Sequence, residues 1–189
     1  MFSTLRLYID LLRRRADPAD LPTSAALLVA TFVALVAVQC LFAGLFGEDP
    51  AVVLPRALVS GLASLGWLAL VLRLHGRPER FLQTGTAILG IMLIAAPFAL
   101  PLLASGLSVV EVAGTPGAAP RGPLPVGPML ALMAAFALSI FLLVAQARIL
   151  MAAIGRSLGL CIALCILGEL LVVVAVGALG LGGPPPSAA

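Results

Sequence analysis

Lysine and asparagine are missing altogether from this 189-residue chain, and histidine occurs once, at His75. Without lysine there is no P-loop lysine and no Schiff-base chemistry. Without asparagine there is no N-glycosylation acceptor. Charge of either sign is scarce: 10% of residues are charged, against about a quarter in an ordinary soluble domain. No H-E-x-x-H, G-x-S-x-G or phosphate-loop sequence occurs, and no aspartate falls inside an apolar run, which removes intramembrane aspartyl chemistry. The sole histidine stands in a basic loop with no serine or cysteine motif beside it, so it reads as a solvated loop residue. Cysteine is rare too. Cys40, Cys161 and Cys165 each sit in an apolar run, an odd set that makes no disulfide framework. Cys161 and Cys165 are four residues apart and share a helix face; they read as small buried hydrophobes rather than a redox or metal pair. No cofactor, metal or catalytic residue is expected.

What the chain has in quantity is oil. Hydrophobic residues make up 62% of it, and its mean hydropathy is +1.20. A soluble fold of this length needs a polar surface that these residues cannot supply, so lipid must cover much of it. A bilayer core takes about 20 apolar residues at 1.5 Å rise each. Five runs suffice: about 23–46, 53–74, 81–103, 129–153 and 158–181. The first is too long for a signal-peptide core, and no A-x-A site follows it. Asp20-Leu21-Pro22-Thr23 reads as a helix start with proline in the first turn. Ser60, Gly61, Ser64 and Gly66 give the second run a small-residue face for close helix approach. Pro97 and Pro101 in the third run are expected to kink it or unwind its end. Residues 104–128, crowded with proline and glycine, read as an irregular loop outside the hydrocarbon. No internal repeat of the inverted-transporter kind is visible.

The expected fold is all-α, a polytopic bundle of five transmembrane helices. A cytoplasmic interfacial segment over residues 1–20 precedes it and a short external tail, 184–189, follows. Phe2, Leu5, Tyr8, Ile9, Leu11 and Leu12 cover one side of the leading helix and Arg6, Asp10, Arg13 and Arg14 the other. All eleven basic residues are arginine. With the N-terminus inside, nine fall on the cytoplasmic side: Arg6, Arg13, Arg14, Arg15, Arg73, Arg77, Arg80, Arg148 and Arg156. Only Arg56 and Arg121 fall outside, as the positive-inside rule requires. Arg13, Arg14, Arg15, Arg77, Arg80, Arg148 and Arg156 are thus assigned to topology and headgroup contact. Arginines that flank apolar runs make no nucleic-acid patch, and no nucleic-acid partner is expected.

Glu169 is the exception to a featureless interior. It lies near the middle of the fifth run, where a charged side chain costs about 2.5–3.5 kcal/mol on insertion scales. Three readings compete: a hydrogen-bonded acid knitting helices together through Ser60, Ser64, Thr86 or Gln39; a docking point for another membrane subunit; and a proton- or ion-coupling site. Gly168 beside it permits close approach by any of these partners.

From Arg80 onward the chain resembles the Yip family, the Ypt/Rab-interacting membrane proteins, and its bacterial branch. The carrying residues are Arg80-Phe81-Leu82-Gln83-Thr84-Gly85 entering the third run, Gly90 followed by Pro97, and the Arg148 to Arg156 segment. Asp20-Leu21-Pro22 is similar to the family's D-L-x-G-P element without its glycine, and the tyrosine after Gly90 is absent. The resemblance implies a cytoplasmic N-terminus, five closely spaced helices and a non-enzymatic adaptor role, with no binding residue carried over. The Ala/Leu/Gly/Arg bias without lysine suggests a bacterium of high genomic GC, and hence a bacterial cytoplasmic (inner) membrane. The leading functional expectation is a non-catalytic membrane scaffold or accessory subunit that meets lipid, other membrane proteins or further copies of itself. The alternative is a small transporter or permeation protein for a proton, ion or lipid, using Glu169 with the Pro97/Pro101 irregularity.

Overall fold

A computed structural model describes residues 23–114 and 126–181, the side chains of 106–114 excepted. The expected interfacial helix with Arg13, Arg14 and Arg15, the Asp20-Leu21-Pro22 start and the 184–189 tail lie outside the described residues. Among the described residues five long helices follow one another: α1 (Ala25–Leu45), α2 (Pro50–Leu74), α3 (Phe81–Gly114), α4 (Val126–Ile154) and α5 (Leu158–Ala178), with a 3₁₀ turn, Pro78–Arg80, before α3. Each is long and apolar enough to cross a membrane, the pattern of a multi-pass membrane protein.

Local chemistry sets the helix boundaries. Ser24 caps α1, its side chain accepting from the Leu27 amide at 3.3 Å. The acidic turn expected before the second span is itself the cap of α2. Asp49 Oδ1 accepts from the Ala51 amide at 2.8 Å and Pro50 takes the first helical position, so α2 begins three residues before the apolar run does. At the opposite end α4 stops where Gly155 adopts a φ of 67°. Its amide bonds to the Met151 carbonyl at 2.8 Å, a left-handed cap that a residue with Cβ adopts only under strain.

Two expectations are corrected along α3. The helix is 34 residues long, about 50 Å at 1.5 Å per residue, well beyond a hydrocarbon core of about 30 Å. Residues 104–114, expected as loop, are helical, as are 126–128 at the start of α4. The physical reason is that no proline lies between Pro101 and Pro116, so nothing in that stretch removes a ladder donor. Nor does α3 unwind at Pro97 or Pro101: both lie inside the unbroken helix. Each proline deletes one ladder bond, to the carbonyls of Leu93 and Pro97, and the turns on either side hold the remainder.

The helices close into a ring. α1 packs on α2 and α3, α3 on α4, α4 on α5, and α5 returns to α2. Short connections at 46–49, 75–80 and 155–157 make the neighbours they join antiparallel. One end of the ring therefore gathers Arg73, Arg77, Arg80, Arg148 and Arg156, and the other Glu48, Asp49 and Arg56. Toward the basic end the interior is filled: Leu68, Val71 and Leu72 of α2 pack with Ala147, Leu150, Ala153 and Ile154 of α4 and Cys161 of α5. A second cluster joins Leu28 and Leu35 of α1 to Leu89 and Ala96 of α3. Large apolar side chains such as Phe98, Phe136 and Val173 are two-thirds exposed on the outer surface, as lipid contact requires.

Candidate functional site: an interior cavity at Glu169

Between the filled basic end and the acidic end the ring leaves a cavity of about 200 Å³, lined from all five helices. Its walls are mostly aliphatic, and α3 contributes only Ile88, Leu89 and Met92. Five polar side chains interrupt them: Gln39 of α1, Ser60 and Ser64 of α2, Gln146 of α4 and Glu169 of α5. Polar groups on four different helices thus converge on one space within the apolar belt. That combination, apolar walls with a few convergent polar groups, is the usual form of a small-molecule site.

Each polar group is placed by helix geometry. On α4, Gln146 and Leu150 are one turn apart and both face the cavity. Arg148, two residues from Gln146, is rotated by about 200° around the same helix and points away. On α2, Ser60 and Ser64 are likewise one turn apart. Their hydroxyls are spent on their own helix: Ser60 Oγ donates to the Ala57 carbonyl at 3.1 Å and Ser64 Oγ to the Ser60 carbonyl at 2.9 Å. Each therefore offers the cavity oxygen lone pairs and no proton.

Glu169 is exposed, and among the described residues no hydrogen bond or ion pair reaches its carboxyl. The expected knitting of Glu169 to neighbouring helices is therefore not seen. Thr86, one of the partners expected for it, is fully buried, lies away from the cavity and donates to the Leu82 carbonyl at 2.7 Å. Ser60, Ser64 and Gln39 share the cavity with Glu169 without bonding to it.

Gly168 has a different neighbour from those the sequence suggests. A Cβ built on it would lie 2.5 Å from Trp67 Cδ1 and 2.7 Å from Nε1. The same indole donates to the Leu164 carbonyl at 3.0 Å. Gly61 is where α1 meets α2, its absent Cβ standing against the Phe32 ring. A Cβ on Gly66, by contrast, would meet nothing within 4 Å. Pro97 is exposed and Pro101 half-buried, and neither lines the cavity. The structure thus brings Ser60, Gly61, Ser64, Gly168 and Glu169 together and leaves the two prolines apart.

Three residues that the sequence reading did not connect with Glu169 belong to the same cavity: Gln146, Trp67 and Phe32. Cys165 lines it too, whereas Cys161 is fully buried in the core. Among the described residues no three His, Cys, Asp or Glu side chains converge as a metal site would. His75 ends α2, its Nδ1 donating to the Val71 carbonyl at 2.8 Å, and is not among the residues that line the cavity. Arg80 reaches across the basic end, and its Nη1 donates to the carbonyl of Ala152 at 2.8 Å and of Ala153 at 3.4 Å. It caps the C-terminus of α4, where a cation is favoured. Arg77 and Arg156 are exposed and Arg148 half-buried.

No protein-family model, curated protein or solved structure matches the chain.

Proposed function

We propose that this chain is a non-catalytic membrane permeation or carrier protein that takes a small solute into the bundle and releases it on the other side, with Glu169 as the group that engages the solute or its coupling proton. One observation carries the reading: a cavity of about 200 Å³ lined by all five helices has among its lining groups an exposed carboxyl that no described residue pairs. Intramembrane carboxyls are costly and recur in ion and proton relays. The basic end faces the cytoplasm in this reading, since the arginines gathered there obey the positive-inside rule, and the C-terminus lies outside. The lysine-free, Ala/Leu/Gly/Arg-rich composition favours a bacterial cytoplasmic membrane.

Flux measured in liposomes tests it. Protein-dependent uptake of protons or of a small cation, lost on Glu169→Gln in a variant that still inserts and folds, supports the reading. Equal flux through both forms, or none above protein-free vesicles, contradicts it.

A Yip-like scaffold or accessory subunit is the second reading, and one observation favours it. Gly66, Gly159 and Gly177 have nothing within 4 Å, so their backbones lie open to a helix of another membrane protein or of a second copy. Purification in mild detergent checks this: a defined oligomer or stoichiometric partner supports it, and a clean monomer counts against it.

A further inference from the structure

The cavity's chemistry is one-sided. Both serine protons are already given to backbone carbonyls, and the indole N–H of Trp67 is given to Leu164. What faces the interior is therefore mainly acceptors: the Glu169 carboxyl, the serine lone pairs and the carbonyl ends of Gln39 and Gln146. While Glu169 is ionised, the two carboxamide NH₂ groups and the weakly donating Cys165 thiol are the donors left among the lining residues. No basic side chain lines the cavity. On the helices packed against α5, Arg56 and Arg73 stand toward opposite ends of α2, Arg148 is turned away on α4, and Cys165 is the other titratable group facing the space. An anion finds no counter-charge here.

Size and walls narrow the class further. An apolar cavity of about 150 Å³ holds benzene, so about 200 Å³ is more than a bare metal ion needs and too little for a lipid. Two aromatic rings, Phe32 of α1 and Trp67 of α2, line the same cavity as the carboxyl, and aromatic faces attract organic ammonium groups.

We propose that the cavity binds a small amphipathic monocation, an alkylammonium compound of roughly benzene's size. Glu169 is its counter-ion, Trp67 and Phe32 are its π partners, and the aliphatic walls hold its carbon atoms. The inference deepens the permeation reading and rests on it. Cation and proton exchange at one carboxyl: when the ammonium enters, the Glu169 proton leaves to bulk water, and when the proton returns the ammonium is released.

Trp67 is the chain's single tryptophan and lines the cavity, so its fluorescence reports occupancy directly. The full chain in detergent is titrated with choline and with its neutral isostere 3,3-dimethylbutan-1-ol. Choline is expected to change Trp67 emission saturably, about tenfold or more tightly than the alcohol, through charge attraction and cation–π contact, and to bind more weakly as pH falls. Glu169→Gln is expected to abolish the preference while leaving the response to the alcohol. Equal responses of the wild type to both compounds overturn the cation inference and leave the permeation reading standing, because the cavity is then open but blind to charge. No response to either compound overturns both. Should Glu169→Gln fail to fold, the wild type decides: choline binding that does not change between about pH 5 and pH 9 contradicts exchange with a carboxyl proton.

Discussion

The indole Nε1 of Trp67 donates to the carbonyl of Leu164 at 3.0 Å, and the same edge of the ring occupies the space a side chain at Gly168 would need. Leu164 and Gly168 are one turn apart on α5. The contact fixes both the height and the closeness of α2 against α5, one residue from Glu169.

That relationship makes Gly168 intolerant of a methyl group. Trp67 is held by its hydrogen bond and cannot swing aside freely, so Gly168→Ala forces the helices apart or breaks the bond. A loss of about 1–3 kcal/mol is expected, read as lowered thermal stability in detergent with a shift in Trp67 emission. Gly159→Ala and Gly177→Ala, where nothing lies within 4 Å, are expected to leave stability unchanged or slightly raised. Equal effects at Gly168 and Gly159 would refute the packing described.

Trp67→Phe keeps an aromatic ring but removes the donor to Leu164. The expected cost is about 1 kcal/mol. Because the Leu164 carbonyl retains its place in the helix ladder, no orphaned acceptor adds to it. Chemical denaturation of both proteins measures the difference.

At Gly61 the obstacle is the outer edge of the Phe32 ring, which no hydrogen bond restrains. Gly61→Ala is therefore expected to cost less than Gly168→Ala, and Phe32→Leu to restore part of the loss. A double-mutant cycle over Gly61 and Phe32 checks the coupling. Strict additivity would place the two residues out of contact.

Arg80 links the turn before α3 to the last carbonyls of α4. Arg80→Gln is expected to destabilise by about 1 kcal/mol, combining a charge-assisted hydrogen bond with the favourable placement of a cation at a helix C-terminus. Arg80→Lys keeps the charge and should retain part of that stability. Thermal unfolding of both variants, compared with exposed Arg77→Gln as control, makes the measurement.

Much of the architecture could be read from residues, because a 20-residue apolar run leaves few alternatives to a helix. The five spans were legible on that ground. The full length of α3 was not: hydropathy marks where lipid ends, and residues 104–114 stay helical past that point because they contain no proline. Pro97 and Pro101 do not unwind the helix, since a helix with intact turns on both sides tolerates two missing donors. Glu169 stood out through the cost of its charge. Its surroundings did not, because whether Gln146 faces it depends on how α4 rotates against α5, and single-chain periodicity is silent on that in helices apolar all round. Thr86 was a poor candidate partner for a local reason: a threonine in a helix readily bonds the carbonyl four residues back.

Whether the Glu169 position opens on a polar interior rather than on lipid is the question on which the account turns. In a chain whose three native cysteines are replaced by serine, a small water-soluble charged thiol reagent is applied to membranes carrying Glu169→Cys or Val174→Cys, two positions about 140° apart around α5. The thiol at position 169 is expected to be modified, while the one at 174, on a residue 65% exposed and outside the cavity lining, is not. An unreactive thiol at position 169, or equal reactivity at the two positions, would contradict the account.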